Sequence, residues 1–159
     1  MKKLTLFLII MAGFCFSGYV FAVDEKSSSK HEKHEHEHHP PHKGTLVVMG
    51  DEFAHLELVL DSETGRLSAY ALDGEAEYAV RLKQAFIEIA VVLNNKTMIL
   101  KLNAIDNPLT GETIGDTSEF TTQSPALKGV KNFKGSVLAL DIRGKGFKDI
   151  VFSFPEGNE

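Results

Sequence analysis

From Thr45 onward apolar and polar residues alternate with a period of two, in short runs separated by Gly, Asn, Asp and Pro. That period sends successive side chains to opposite faces of a strand, so each run reads as a strand with one buried face. About nine runs fit: residues 45–49, 52–60, 66–72, 77–82, 85–93, 97–104, 118–122, 135–142 and 147–154. In the second run Leu56, Leu58 and Leu60 share one face, while His55 and Glu57 project from the other. Ile87, Ile89, Val91 and Leu93 face one way in the fifth run. Asn94 and Asn95 then turn the chain into residues 97–104, where Met98, Leu100 and Leu102 alternate with Lys101. This pair predicts the centre of a sheet.

Turn residues fix the connections. Asp73-Gly74 predicts a hairpin between the third and fourth runs, because glycine accepts positive φ at no steric cost, and Arg143 to Gly146 predicts a terminal hairpin. Residues 106–117, with Asn107-Pro108, Gly111 and Gly115, form the longest loop, and residues 125–130 fit one helical turn closed by Gly129. The expected fold is all-β: an antiparallel β-sandwich of about nine strands, with an open β-barrel as the alternative.

The residues before Thr45 follow other rules. Lys2 and Lys3 precede an apolar stretch from Leu4 to Phe16, and Val20-Phe21-Ala22 supplies small residues at the two recognition positions before a cut. Residues 1–22 therefore read as a signal peptide cleaved after Ala22, which places the protein in the periplasm or outside the cell. An uncleaved membrane anchor is the competing reading, weakened by Gly13, Ser17, Gly18 and Tyr19 in the apolar run. Phe14, directly before Cys15, argues against lipidation of that cysteine. Cleavage removes the one cysteine of the sequence, so metal ligands in the mature chain are nitrogen or oxygen.

Residues 23–43 contain no large apolar side chain beyond Val23, and a segment with nothing to bury cannot offset its ordering entropy. The expected organisation is a disordered arm over residues 23–43 and a single β-domain over residues 44–156. Loss of Lys2 and Lys3 leaves 15 basic side chains against 22 acidic ones, a formal charge of −7, which argues against nucleic acid as a partner. Lys128, Lys131, Lys134, Arg143, Lys145 and Lys148 read as solvated sheet faces and turns.

The arm carries the chemistry. His31, His34, His36, His38, His39 and His42 place six imidazoles within twelve positions, interleaved with Glu32, Glu35 and Glu37. Neutral imidazole suits zinc, copper and nickel, and carboxylates can complete a coordination sphere. The plainer reading is a soluble spacer, for which repeated histidine is an odd choice. His55, the one histidine within the β-domain, shares a face with Glu57 and could share an ion or a hydrogen bond with it. The plainer reading is a satisfied histidine on a half-buried strand, and the metal reading gains weight if the arm folds back beside it. Asp106, Glu112, Asp116 and Glu119 invite calcium, but their spacing fits no EF-hand loop and they read as solvated loop acids. With no cysteine nucleophile, no phosphate-cradling glycine loop and no Gly-x-Ser-x-Gly elbow, a non-enzyme is expected.

Gly44 to Leu60, with Gly50-Asp51-Glu52-Phe53 and His55-Leu56-Glu57, Leu72-Asp73-Gly74, and Asn107 through Glu112 to Asp116-Thr117-Ser118-Glu119-Phe120 and Leu127-Lys128-Gly129 cover most of the β-domain. These segments resemble exported bacterial β-domain proteins similar to the N-terminal segment of some periplasmic adaptor subunits of heavy-metal efflux pumps. The resemblance implies an envelope protein linked to metal handling, with His55 and Glu57 in the relevant segment and an envelope or efflux protein as partner. The long helical hairpin and lipoyl-like region of an adaptor are not found, so pump assembly does not carry over. Two functions are expected to compete: metal capture by the arm, or a non-catalytic β-sandwich interaction module with the arm as a linker and no membrane span after signal cleavage.

Overall fold

The structure, a computed structural model, describes residues 38–158. The expected signal peptide, residues 1–22, and His31, His34 and His36 lie outside the described residues. Eight strands form: β1 (Thr45–Met49), β2 (Ala54–Asp61), β3 (Arg66–Leu72), β4 (Phe86–Leu93), β5 (Lys96–Ala104), β6 (Glu119–Gln123), β7 (Phe133–Ile142) and β8 (Lys145–Phe154). A single 3-10 turn at Pro125–Leu127 is capped by Ser124, whose hydroxyl accepts from the Ala126 amide. Among the described residues no helix is long and apolar enough to cross a membrane.

The all-β, antiparallel expectation holds. Of the two expected arrangements the structure adopts the barrel: one continuous sheet in the order β1-β2-β3-β6-β5-β4-β7-β8, nearly closed on itself. Eight strands stand where about nine were expected, because residues 77–82 do not pair as a strand. The chain does reverse at Asp73-Gly74 and lies back along the end of β3, the Asp73 amide donating to the Tyr78 carbonyl at 2.9 Å and the Val80 amide to the Ala71 carbonyl at 2.8 Å, but not through a two-residue turn. Instead the Asp73 carboxylate accepts from the Glu77 and Tyr78 amides at 2.9 and 3.1 Å, winding the chain into a wider turn. Residues 77–82 then make only isolated bridges, Leu72 to Ala79 and Leu82 to Thr117, while β3 takes β6 as its neighbour. Val80 and Leu82 still bury their side chains in the core.

The period of two decides what faces inward. Leu56 and Leu58 of β2, Ile87, Ile89 and Val91 of β4, and Leu100 and Leu102 of β5 fill the barrel with Phe120 and Val137. A register shift between Glu88 and Ile89 bends β4 against β7, the local kink by which a bulge lets a sheet curl.

The free edges, β1 and β8, meet through the segment that follows β8. Asn158 brackets Val48, its Oδ1 accepting from the Val48 amide at 2.7 Å and its Nδ2 donating to the Val48 carbonyl at 3.2 Å. The Thr45 hydroxyl donates to the Pro155 carbonyl, and Gly157 exchanges backbone hydrogen bonds with Ser153. Only glycine fits there: at φ +89° a Cβ would stand 2.4 Å from the Leu46 carbonyl oxygen. Residues 155–158 thus stitch the seam that would otherwise expose two strand edges.

Candidate metal centre at the junction of arm and barrel

His55 and Glu57 lie on the outer face of β2, opposite Leu56 and Leu58, as the alternation predicts. Outer positions of a barrel ordinarily meet water, yet both side chains are 0% exposed. Residues 38–44 and the 73–78 turn contact them through named hydrogen bonds.

Glu57 holds the preceding segment down. Its Oε1 accepts from the backbone amides of His42 at 2.9 Å and Gly44 at 2.8 Å, and its Oε2 accepts from His42 Nδ1 at 2.7 Å. The β2–β3 register sets Tyr70 beside Glu57, and the His42 ring stacks on Tyr70 with centroids 3.8 Å apart and planes 13° apart. Gly44 must lack a side chain here, since a Cβ would stand 2.5 Å from the Leu58 carbonyl oxygen. Burial, then the nearby Glu119 carboxylate, raises the Tyr70 pKa above its ordinary value of 10.0, so the phenol stays neutral.

Beside this clamp two imidazoles meet. His38, from the segment before β1, and His55 lie with ring centroids 4.8 Å apart and planes inclined at 52°. His55 Nδ1 is 3.0 Å from the Asp73 carbonyl oxygen, and His38 Nδ1 is 3.2 Å from the Glu75 carbonyl oxygen. A carbonyl can only accept, so each Nδ1 carries a proton, and the neutral form of each ring has its lone pair on Nε2. Both Nε2 atoms are buried and have no hydrogen-bond partner among the described residues. A buried polar atom without a partner typically costs about 1–3 kcal/mol, and this site holds two. Fixing Nδ1 on a carbonyl or carboxylate is how proteins aim Nε2 at a metal. His38, His42 and His55 all follow that pattern.

The expected ligand set thus separates. His38 and His55 come together, Glu57 engages His42, and His39 is exposed. Among the described residues no group of three or more His, Cys, Asp or Glu side chains could hold a metal ion. The Asp73 and Glu75 carbonyls and the Tyr70 ring gave no signal in the sequence: backbone acceptors carry no residue signature, and the pairing of Glu57 with Tyr70 requires the strand register.

Two acids of the long loop, Glu112 and Asp116, are staples and not simply solvated. The Glu112 carboxylate accepts from the Ser118 amide at 2.9 Å and from the hydroxyls of Ser118 and Thr110 at 2.6 and 2.7 Å, while Asp116 pairs with Arg81 at 2.9 Å. Burial alone would raise the Glu112 pKa, but the Ser118 and Thr110 hydrogen bonds, assisted by Arg81, hold it below its ordinary value of 4.5. With its oxygens so engaged, Glu112 serves the loop's shape.

No known protein family model, curated protein or solved structure matches the chain.

Proposed function

We propose that this is an exported metal-binding accessory protein, periplasmic or secreted, that captures zinc, copper or nickel through its histidine-rich N-terminal arm. The reading is supported above all by the paired Nε2 atoms of His38 and His55, buried without a partner among the described residues while their Nδ1 atoms rest on carbonyls. An arm histidine and the one barrel histidine meet there, and imidazole nitrogen is a favoured ligand for these ions. The barrel serves as a rigid base that gives the arm a fixed anchoring point. No catalytic role is part of the proposal.

Calorimetric titration of the mature chain with zinc, copper and nickel at neutral pH, beside a chain lacking residues 23–43, tests this reading. Tight binding that disappears with the arm is the expected result. Undiminished binding in the truncated chain, or none in either, refutes it. Because bound imidazole must be neutral, affinity should also fall as pH drops below about 6.5.

A second reading, an envelope interaction module with the arm as linker, draws on one observation. Leu109 and Ile114 are 97% and 65% exposed on the loop that Glu112 staples. Full function of a chain lacking residues 23–43 in a deletion strain would favour it.

A further inference from the structure

We infer that His38 and His55 form a discrete one-ion site in which a zinc(II), copper(II) or nickel(II) ion takes two cis imidazole nitrogens and keeps its other positions exchangeable, with Glu57 positioning the arm and not ligating. This rests on the metal-binding reading above and adds the location, the geometry and the class of ion.

The geometry follows from the rings. With metal–nitrogen bonds of about 2.0–2.1 Å and about 1.1 Å from nitrogen to ring centre, an ion on the axis of each Nε2 sits about 3.2 Å from each centroid. Centroids 4.8 Å apart then subtend about 97° at the ion. A linear two-coordinate arrangement would need centroids about 6.4 Å apart. The observed spacing fits neighbouring corners of a tetrahedron or a square, the geometries taken by zinc(II), copper(II) and nickel(II), and it disfavours linear copper(I). Calcium and magnesium are excluded by donor type, since they seek oxygen.

The ligand count follows from the surroundings. Glu57 is the nearest acid along β2, but three donors already occupy its two oxygens. Its role is to fix the His42–Gly44 backbone, which sets where His38 reaches the barrel. Two neutral nitrogens from the described residues leave positions for water, another anion or a further imidazole. A structural zinc site closes all four positions with protein; an incompletely closed one can pass its ion on.

The test uses the full mature chain with His31, His34, His36 and His39 all replaced by glutamine, so that His38, His42 and His55 alone remain. Zinc(II) should bind with a stoichiometry of one, and adding either His38→Gln or His55→Gln should weaken it at least ~10-fold. His38→Gln changes a residue outside the strands, so a fold-dependent loss at His55 cannot mimic the result. X-ray absorption of the zinc(II) form should show two imidazoles with lighter oxygen scatterers, unchanged in ligand number by Glu57→Gln. If the four-glutamine chain binds nothing while the wild type binds several ions, the junction site is wrong and arm capture stands. If the wild type binds nothing, both fail. Loss of an oxygen ligand in Glu57→Gln, or tighter copper(I) binding with a linear two-coordinate spectrum, would overturn the geometry.

Discussion

Replacing Glu57 with alanine should release the segment before β1 without melting the barrel. The wild-type carboxylate is fully buried and accepts three hydrogen bonds, two from backbone amides and one from an imidazole. Bonds to a charged group contribute about 1.5–3 kcal/mol each, while withdrawing the carboxylate from water costs several kcal/mol, leaving a net contribution of about 2–4 kcal/mol. The loss should fall locally, because β2 keeps its ladders to β1 and β3 and its inward leucines. Native-state hydrogen exchange reads this directly: at 1.36 kcal/mol per tenfold, the His42 and Gly44 amides should exchange about 30- to 900-fold faster. Amides of β4 and β5 should keep their protection. Glu57→Gln should have a smaller effect, since its carbonyl can still accept from both amides while its NH2 opposes the protonated His42 Nδ1. Unchanged exchange at His42 and Gly44 in the alanine variant would refute the clamp. Equal acceleration in β4 and β5 would show that segment and barrel open as one unit, which the packing argues against.

Two further predictions concern the scaffold. Glu112 has a folded-state pKa below its ordinary value of 4.5, so its contribution is present above that value and is lost as pH falls through the folded pKa; Glu112→Gln should cost about 1–2 kcal/mol at neutral pH and flatten the acid side of a urea-midpoint-against-pH curve, and an unchanged curve would count against it. Gly157→Ala should lower stability by about 1–3 kcal/mol through left-handed strain and displacement of the seam, with faster exchange at the Val48 amide; a melting temperature equal to wild type would show that the tail adjusts freely.

The strands were legible because each keeps one apolar face: β2, β4 and β5 bury the alternating residues that the sequence marks. The failed strand at residues 77–82 carries apolar side chains that do reach the core, but the Asp73 carboxylate accepts from two amides and widens the turn, so the returning chain pairs with β3 only around Leu72 and Ala79. Periodicity records burial and not pairing, so this segment could not be distinguished from a strand. Sandwich and barrel also share one alternation; the choice rests on the stitch of Asn158 to Val48, 110 residues apart. At the site, the outward direction of His55 and Glu57 was readable and their burial was not. Residues 38–43 have almost nothing apolar to bury, and what holds them is the Glu57 carboxylate, the Tyr70 ring and the contacts of His38 with Glu75 and His55, a polar mode of ordering that hydrophobic pattern does not register.

The stitched seam also has a consequence for the order in which the molecule can be completed. β1 precedes Asn158 by about a hundred residues of chain, so until the segment after β8 docks, β1 has β2 on one side and an open ladder on the other. The most non-local contact in the sheet is therefore the last available, and contacts of that span are slow to form because loop closure precedes any return. Until then the folding chain presents two complementary edges, one at each end of its sheet, able to recruit a neighbouring copy as readily as each other. Occupying β1 during that interval would hold the chain open, whereas in the folded structure Asn158 already covers that edge at Val48.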